Sequence, residues 1–123
     1  MLYALLCYNN EAAVCGLSKE EDDAMMGRVR AAEEKIVAKS SFGPRLRLMP
    51  TTAATFVKAG QDPMVIDGPF AETKEQLLGF YVGDCKSLDQ ALETARELAA
   101  ANPGGSYEIR PIGYFAPNGG AAK

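Results

Sequence analysis

The chain has no histidine. The side chain most often used as a general base near neutral pH is therefore missing, and so is the commonest nitrogen ligand of zinc and haem. Cysteine is scarce, since Cys7, Cys15 and Cys85 are odd in number and form no C-x-x-C pair, so neither a metal site nor a cofactor is expected. A catalytic thiol is disfavoured too, because no imidazole is present to draw off its proton. Cys7 and Cys85 fall in or beside predicted strands, where a thiol behaves as a small buried hydrophobe. Met1 to Tyr8 carries no basic residue and is too short an apolar run for a signal peptide or a membrane helix, which predicts a cytoplasmic protein with no membrane partner. Leu5, Leu6 and Cys7 lack the preceding targeting segment that a lipid-attachment site needs.

Positive charge is also in short supply. Thirteen basic residues against sixteen acidic ones give a net charge of -3 and a pI of about 5.0, which argues against nucleic acid, whose phosphates call for a basic face. Arg45 and Arg47 make a local basic pair, and two cations on one strand read as a solvated or ion-paired face.

What is present is an ordinary globular composition, 47% hydrophobic and 24% charged over 123 residues, enough for one domain. We expect a single domain over residues 1–115 and a Gly- and Ala-rich tail over 116–123. Area scaling gives roughly 19,000 Å² unfolded and roughly 6,400 Å² folded, so about two-thirds of the surface should be buried.

Leu2 to Tyr8 is a continuous apolar run closed by Asn9 and Asn10, the pattern of a buried strand. Ser18 stands three residues before Glu21, a capping box that opens a helix running to about Ser40. Met25, Val29, Ala32, Ile36 and Val37 form its apolar stripe, with Glu33, Glu34 and Lys39 toward water, and Gly43 and Pro44 stop it. Arg45 to Leu48 alternates polar with apolar. Thr52 to Lys58 is extended and rich in β-branched residues, Gly60 to Asp62 turns the chain, and Met64 to Ile66 returns as the second arm of a hairpin. Residues 77–84 form another strand, with Gly79 and Gly83 on one face where something bulky can approach. Ser87 caps a second helix over Leu88 to Ala101, and Tyr107 to Tyr114 is the last strand.

The order β, α, hairpin, β, α, β predicts an α+β fold of the ferredoxin-like split βαβ type with an extra hairpin strand. Two helices cover one face of such a sheet. The other, expected to carry Leu5, Phe80 or their neighbours, needs a partner, and a homodimer is the economical one.

Residues 67–81, Asp-Gly-Pro-Phe-Ala-Glu-Thr-Lys-Glu-Gln-Leu-Leu-Gly-Phe-Tyr, resemble the DGPF segment of the YCII-related family. The surrounding order agrees, from the apolar first strand through Leu17 and Ser18, the Pro-Thr-Thr-Ala-Thr segment from residue 50, and Glu108 to Pro111. The resemblance spans residues 2–112 and implies a ferredoxin-type sandwich paired into a dimeric α+β barrel with clefts at the dimer interface. Roles suggested for the family range from small-molecule enzymes, some related to muconolactone chemistry, to factors linked with transcription. One branch has a proposed His-Asp pair; Asp67 matches an acidic position of the DGPF motif, but the missing histidine excludes that mechanism here.

By its residues alone, Asp67-Gly68-Pro69 is a turn: Asp accepts local N–H groups, Gly permits positive φ, and Pro presets φ. The same carboxylate at a strand end can also project into a pocket, where desolvation would raise its pKa and suit it to acid or base work. Glu72, Lys74 and Glu75 follow as either a solvated loop or a polar cleft rim. Tyr81 shares the Gly79 and Gly83 face. On the last strand Glu108 and Arg110 point opposite to Tyr107 and Ile109, to bind an anionic ligand or to form a cross-dimer ion pair. Two functional readings stand. One is a dimer binding a small molecule, with Glu72, Lys74, Tyr81, Glu108 and Arg110 as candidate ligand-binding residues and acid-base activity at Asp67 assisted by Lys74, Glu72 or Arg110. The other is a non-catalytic accessory or sensor module acting on a partner protein, as in transcriptional regulation.

Overall fold

The computed structural model describes residues 1–49, 54–57, 64–67 and 74–116, with the backbone alone at 57, 66 and 67. The expected turns at 60–62 and 68–69, Glu72 and the tail from 117 onward lie outside these residues. The apolar amino-terminal run forms β1, Leu2–Asn9. After it come α1 (Glu11–Cys15), α2 (Lys19–Val37), β2 (Phe42–Arg47), β3 (Ala54–Val57), β4 (Met64–Asp67), β5 (Gln76–Asp84), α3 (Leu88–Ala101) and β6 (Ser106–Pro111).

The capping signals act as read. Ser18 Oγ accepts the Glu21 N–H at 3.1 Å while Glu21 Oε1 accepts the Ser18 N–H at 2.9 Å, so two otherwise unpaired donors at the start of α2 are satisfied reciprocally. Ser87 Oγ accepts the Gln90 N–H at 3.2 Å and opens α3. The same chemistry produces α1, which the sequence reading passed over: Asn10 does more than end β1, because its Oδ1 accepts the Ala13 N–H at 2.8 Å and starts a single turn. Helix α2 ends at Val37, ahead of the expected Ser40.

Gly43 and Pro44 do not merely stop a helix, for they lie inside β2. Gly43 takes φ 145, a value side chains disfavour. The register against β5 shifts between Phe42 and Arg45, which face Gly83 and Tyr81, and Arg47 then faces Gly79. The irregularity inserts one residue, so Phe42, Arg45 and Arg47 all fall on the same side of the sheet.

The main sheet is antiparallel, in the order β2-β5-β1-β6, consistent with a ferredoxin-like α+β arrangement once β3 and β4 are set aside. Those two strands do not add to it. They pair with each other as a separate two-stranded sheet in which Ala54 faces Asp67 and Phe56 faces Val65.

Helices α2 and α3 lie on one face, and the core between them and the sheet contains Tyr3, Leu5, Ile36, Cys85, Ala91, Ala95 and Leu98. Three expectations change here. Leu5 has no exposed surface and belongs to the core rather than to the uncovered face; its neighbour Leu6, paired with Phe80, takes that place. Val37 is 48% exposed, and Glu33, expected in water, is buried. The stripe of α2 runs Met25, Val29, Glu33, Ile36, a regular four- and three-residue spacing with a carboxylate in one slot. The chain also exposes 8602 Å², more than the roughly 6,400 Å² scaled from its mass. The helices leave one sheet face uncovered, and the hairpin shows Phe56, Met64 and Val65 to solvent.

Candidate functional site

A cleft of about 230 Å³ opens between α2 and the helix-facing side of the sheet. Its apolar wall comes from Val14 on α1, Met25, Met26 and Val29 on α2, and Leu78 on β5. Gly79 helps to make the space. A side chain there would collide with the Leu46 carbonyl oxygen, so glycine is what lets β2 and β5 approach beside the cleft. At Gly83 the bulky neighbour expected from the sequence is the Phe42 ring, 3.3 Å from where a Cβ would sit. The Phe42 ring also stacks on Tyr81 with centroids 5.0 Å apart.

The polar end is built around Glu33. Its Oε2 accepts the Tyr81 hydroxyl at 2.8 Å, and its Oε1 lies 3.4 Å from an Arg45 guanidinium nitrogen. The bulge in β2 turns Arg45 toward this carboxylate, so the expected ion-paired strand face is present and looks at α2. Arg47 reaches the same helix, with Nη2 2.8 Å from Asp22 Oδ1 and Nη1 3.3 Å from Oδ2. That fork holds the Asp22 carboxyl below its ordinary range and raises the guanidinium further.

Tyr107 and Cys7 complete the end wall. Burial pushes the Tyr81 phenol far above its ordinary value, and the hydrogen bond to Glu33 adds to the effect. Burial likewise raises Tyr107, with Cys7 beside it contributing. The Cys7 thiol is raised, chiefly by burial and against the lowering effect of its bond with Tyr107. At neutral pH both phenols and the thiol keep their protons. The Tyr81 hydroxyl donates to Glu33, and the Tyr107 hydroxyl donates to the Cys7 sulfur.

Of the residues singled out in the sequence, Tyr81 is in this cleft. Glu108 and Arg110 pair with Leu6 and Ala4 of β1, on the face turned away from the helices, where Glu108 Oε1 accepts the Tyr8 hydroxyl at 3.1 Å. Lys74 is exposed, and its backbone carbonyl accepts Asn10 Nδ2 at 3.2 Å. Asp67 ends β4 in the separate hairpin. Glu33, Arg45, Cys7 and Tyr107 were not among the expected site residues. The spacing of Glu33, four residues after Val29 and three before Ile36, was the signal that could have found it.

Among the described residues no helix is long and apolar enough to cross a membrane. A family model, the YCII-related domain, matches residues 1–116. An uncharacterized protein of Rhizobium meliloti (strain 1021) is 53% identical over 119 residues, covering 95% of this chain and 96% of its own length.

Proposed function

The chain belongs to the YCII-related domain family, and from that premise and the lining of the cleft we propose that it binds a small organic molecule between α2 and the sheet and moves a proton there through Glu33. The observation that carries this reading is a buried carboxylate held between a phenol and a guanidinium in a mainly apolar hollow. Such hollows with a few convergent polar groups are the usual form of a small-molecule site. Glu33 takes a proton from an acidic C–H or O–H of the ligand and becomes neutral, so that the Arg45 charge it had faced stabilises the anion left behind. Tyr81, which retains its own proton, fixes the orientation of the carboxylate.

The proposal includes a ferredoxin-like homodimer closed as an α+β barrel, in the cytoplasm. Support comes from Leu6 and Phe80 paired on the face the helices do not cover and from the exposed apolar hairpin. Three free thiols suit a reducing compartment. Light scattering at micromolar concentration checks the dimer, and a mass of one chain would remove it.

The site itself is tested by thermal-shift screening of small carboxylates, phenols and lactones, followed by titration of the wild type, Glu33→Gln and Asp67→Asn. The reading expects Glu33→Gln to weaken binding or turnover by about tenfold or more and Asp67→Asn to leave both unchanged. The reverse pattern would move the chemistry to the hairpin.

A further inference from the structure

A second hollow of about 500 Å³ lies beside the cleft. Val14, Arg47 and Leu78 line both, so the two spaces share a waist formed by α1, β2 and β5. Beyond it the outer hollow is walled by Leu17, Leu48 and Met49, of which Leu48 and Met49 are exposed at 44% and 87%. Ligand pockets commonly run from about 300 to 1,000 Å³. The inner cleft falls short of that range alone, and a ligand using both hollows does not.

We propose that the two hollows form one site for an amphipathic organic acid, with its carboxylate on Arg47 at the waist, a hydrogen-bonding group beside Glu33 and Tyr81, and an apolar arm over Leu17, Leu48 and Met49. This rests on the inner cleft being the binding site and adds to it the class of ligand. Arg47 suits the role because its fork with Asp22 uses only part of the guanidinium's donor set of five N–H groups. Asp22 also holds the side chain in place before a ligand arrives, and planar two-point recognition of a carboxylate is what arginine does best. Arg47 is half-exposed and Asp22 less so, so the pair is reachable from the outer hollow. At the inner end a ligand's standing charge would lie beside the buried Glu33 carboxylate, away from water. The anionic group is therefore assigned to the waist and a neutral polar group to the inner end.

The test uses calorimetric titration with α-hydroxyoctanoate, its primary amide, α-hydroxybutanoate and, as an uncharged probe of the inner cleft, phenol. The acid is expected to bind about tenfold more tightly than the amide, and the long acid more tightly than the short one. Arg47→Gln should abolish the preference for acid over amide. Asp22→Asn, which releases the guanidinium and keeps the shape, should strengthen acid binding by about threefold and leave the amide alone. Val14→Trp, which narrows the waist, should weaken the long acid and spare phenol; thermal unfolding of each variant verifies that it is folded. Equal binding of acid and amide to the wild type, or a preference surviving in folded Arg47→Gln, overturns the proposal. If phenol binds in a Glu33-dependent manner while chain length and charge have no effect, the inner site stands and the two-hollow ligand falls. If phenol and both acids all fail to bind, the inner site falls as well.

Discussion

Two tyrosine–glutamate pairs sit on opposite faces of the same sheet, Tyr81 with Glu33 and Tyr8 with Glu108, at 2.8 and 3.1 Å. The bond is nearly the same, but the surroundings are not. Glu33 is buried under α2 with Arg45 against its other oxygen, whereas Glu108 is exposed. The Tyr8 phenol is raised first by its hydrogen bond to Glu108. That of Tyr81 is raised first by burial and much further. A pair of polar residues thus becomes a candidate site through loss of water and the arrival of a third charged group, not through its own hydrogen bond.

Substitutions on the two faces break this comparison. Leu5→Ala, in the helix-covered core, should cost about 3 kcal/mol in chemical denaturation. Leu6→Ala, one residue away on the other face, should cost about 1 kcal/mol and act mainly on dissociation of the proposed dimer, measured by sedimentation. Equal effects on monomer stability would mean that the two faces are not distinct. Next, Glu33→Ala leaves a half-buried phenol and a guanidinium without their acceptor, a loss of about 2 kcal/mol. Glu108→Ala should leave the unfolding midpoint unchanged, as usual for an exposed pair.

Alkaline titration sharpens the contrast further. In the unfolded chain the phenols release their protons near pH 10, while folded Tyr81 and Tyr107 hold theirs well beyond it. Above about pH 10 the native state binds more protons than the unfolded one, so stability is full below that pH and falls as pH rises. Tyr81→Phe should flatten the fall and Tyr8→Phe should alter it little. An unchanged slope in Tyr81→Phe would show that its phenol titrates normally. At the helix caps, Ser18→Ala and Ser87→Ala should each cost about 1 kcal/mol.

The caps were also the most legible part of the sequence, because a hydroxyl and a carboxylate three residues apart act locally and need no tertiary partner. The antiparallel sheet and its covering helices followed from the order of apolar runs. The side of the sheet each residue occupies did not. Leu2 to Tyr8 is apolar throughout, so parity along β1 carries no signal, and only the packing of α2 and α3 decides that Leu5 faces inward and Leu6 outward. Arg45 and Arg47 owe their orientation to a bulge at Gly43-Pro44, a sequence that reads equally as a helix stop. Glu33 was hidden for a related reason: a stripe counted from apolar residues alone skips a carboxylate whose partners, Tyr81 and Arg45, come from strands far along the chain. Among the described residues, Tyr81 is an expected site residue that lines the cleft, picked out by the glycines flanking it on the same face.

The role proposed for Glu33 depends first on where a ligand binds. Backbone amide NMR of the assigned protein, titrated with the phenols, lactones and carboxylates of the screen, measures that location directly. Shifts centred on Met25, Val29, Glu33, Tyr81 and Tyr107, and reduced in Glu33→Gln, are the predicted result. Shifts confined to the face of Glu108 and Arg110 or to the hairpin bearing Asp67, or none with any probe, would contradict it.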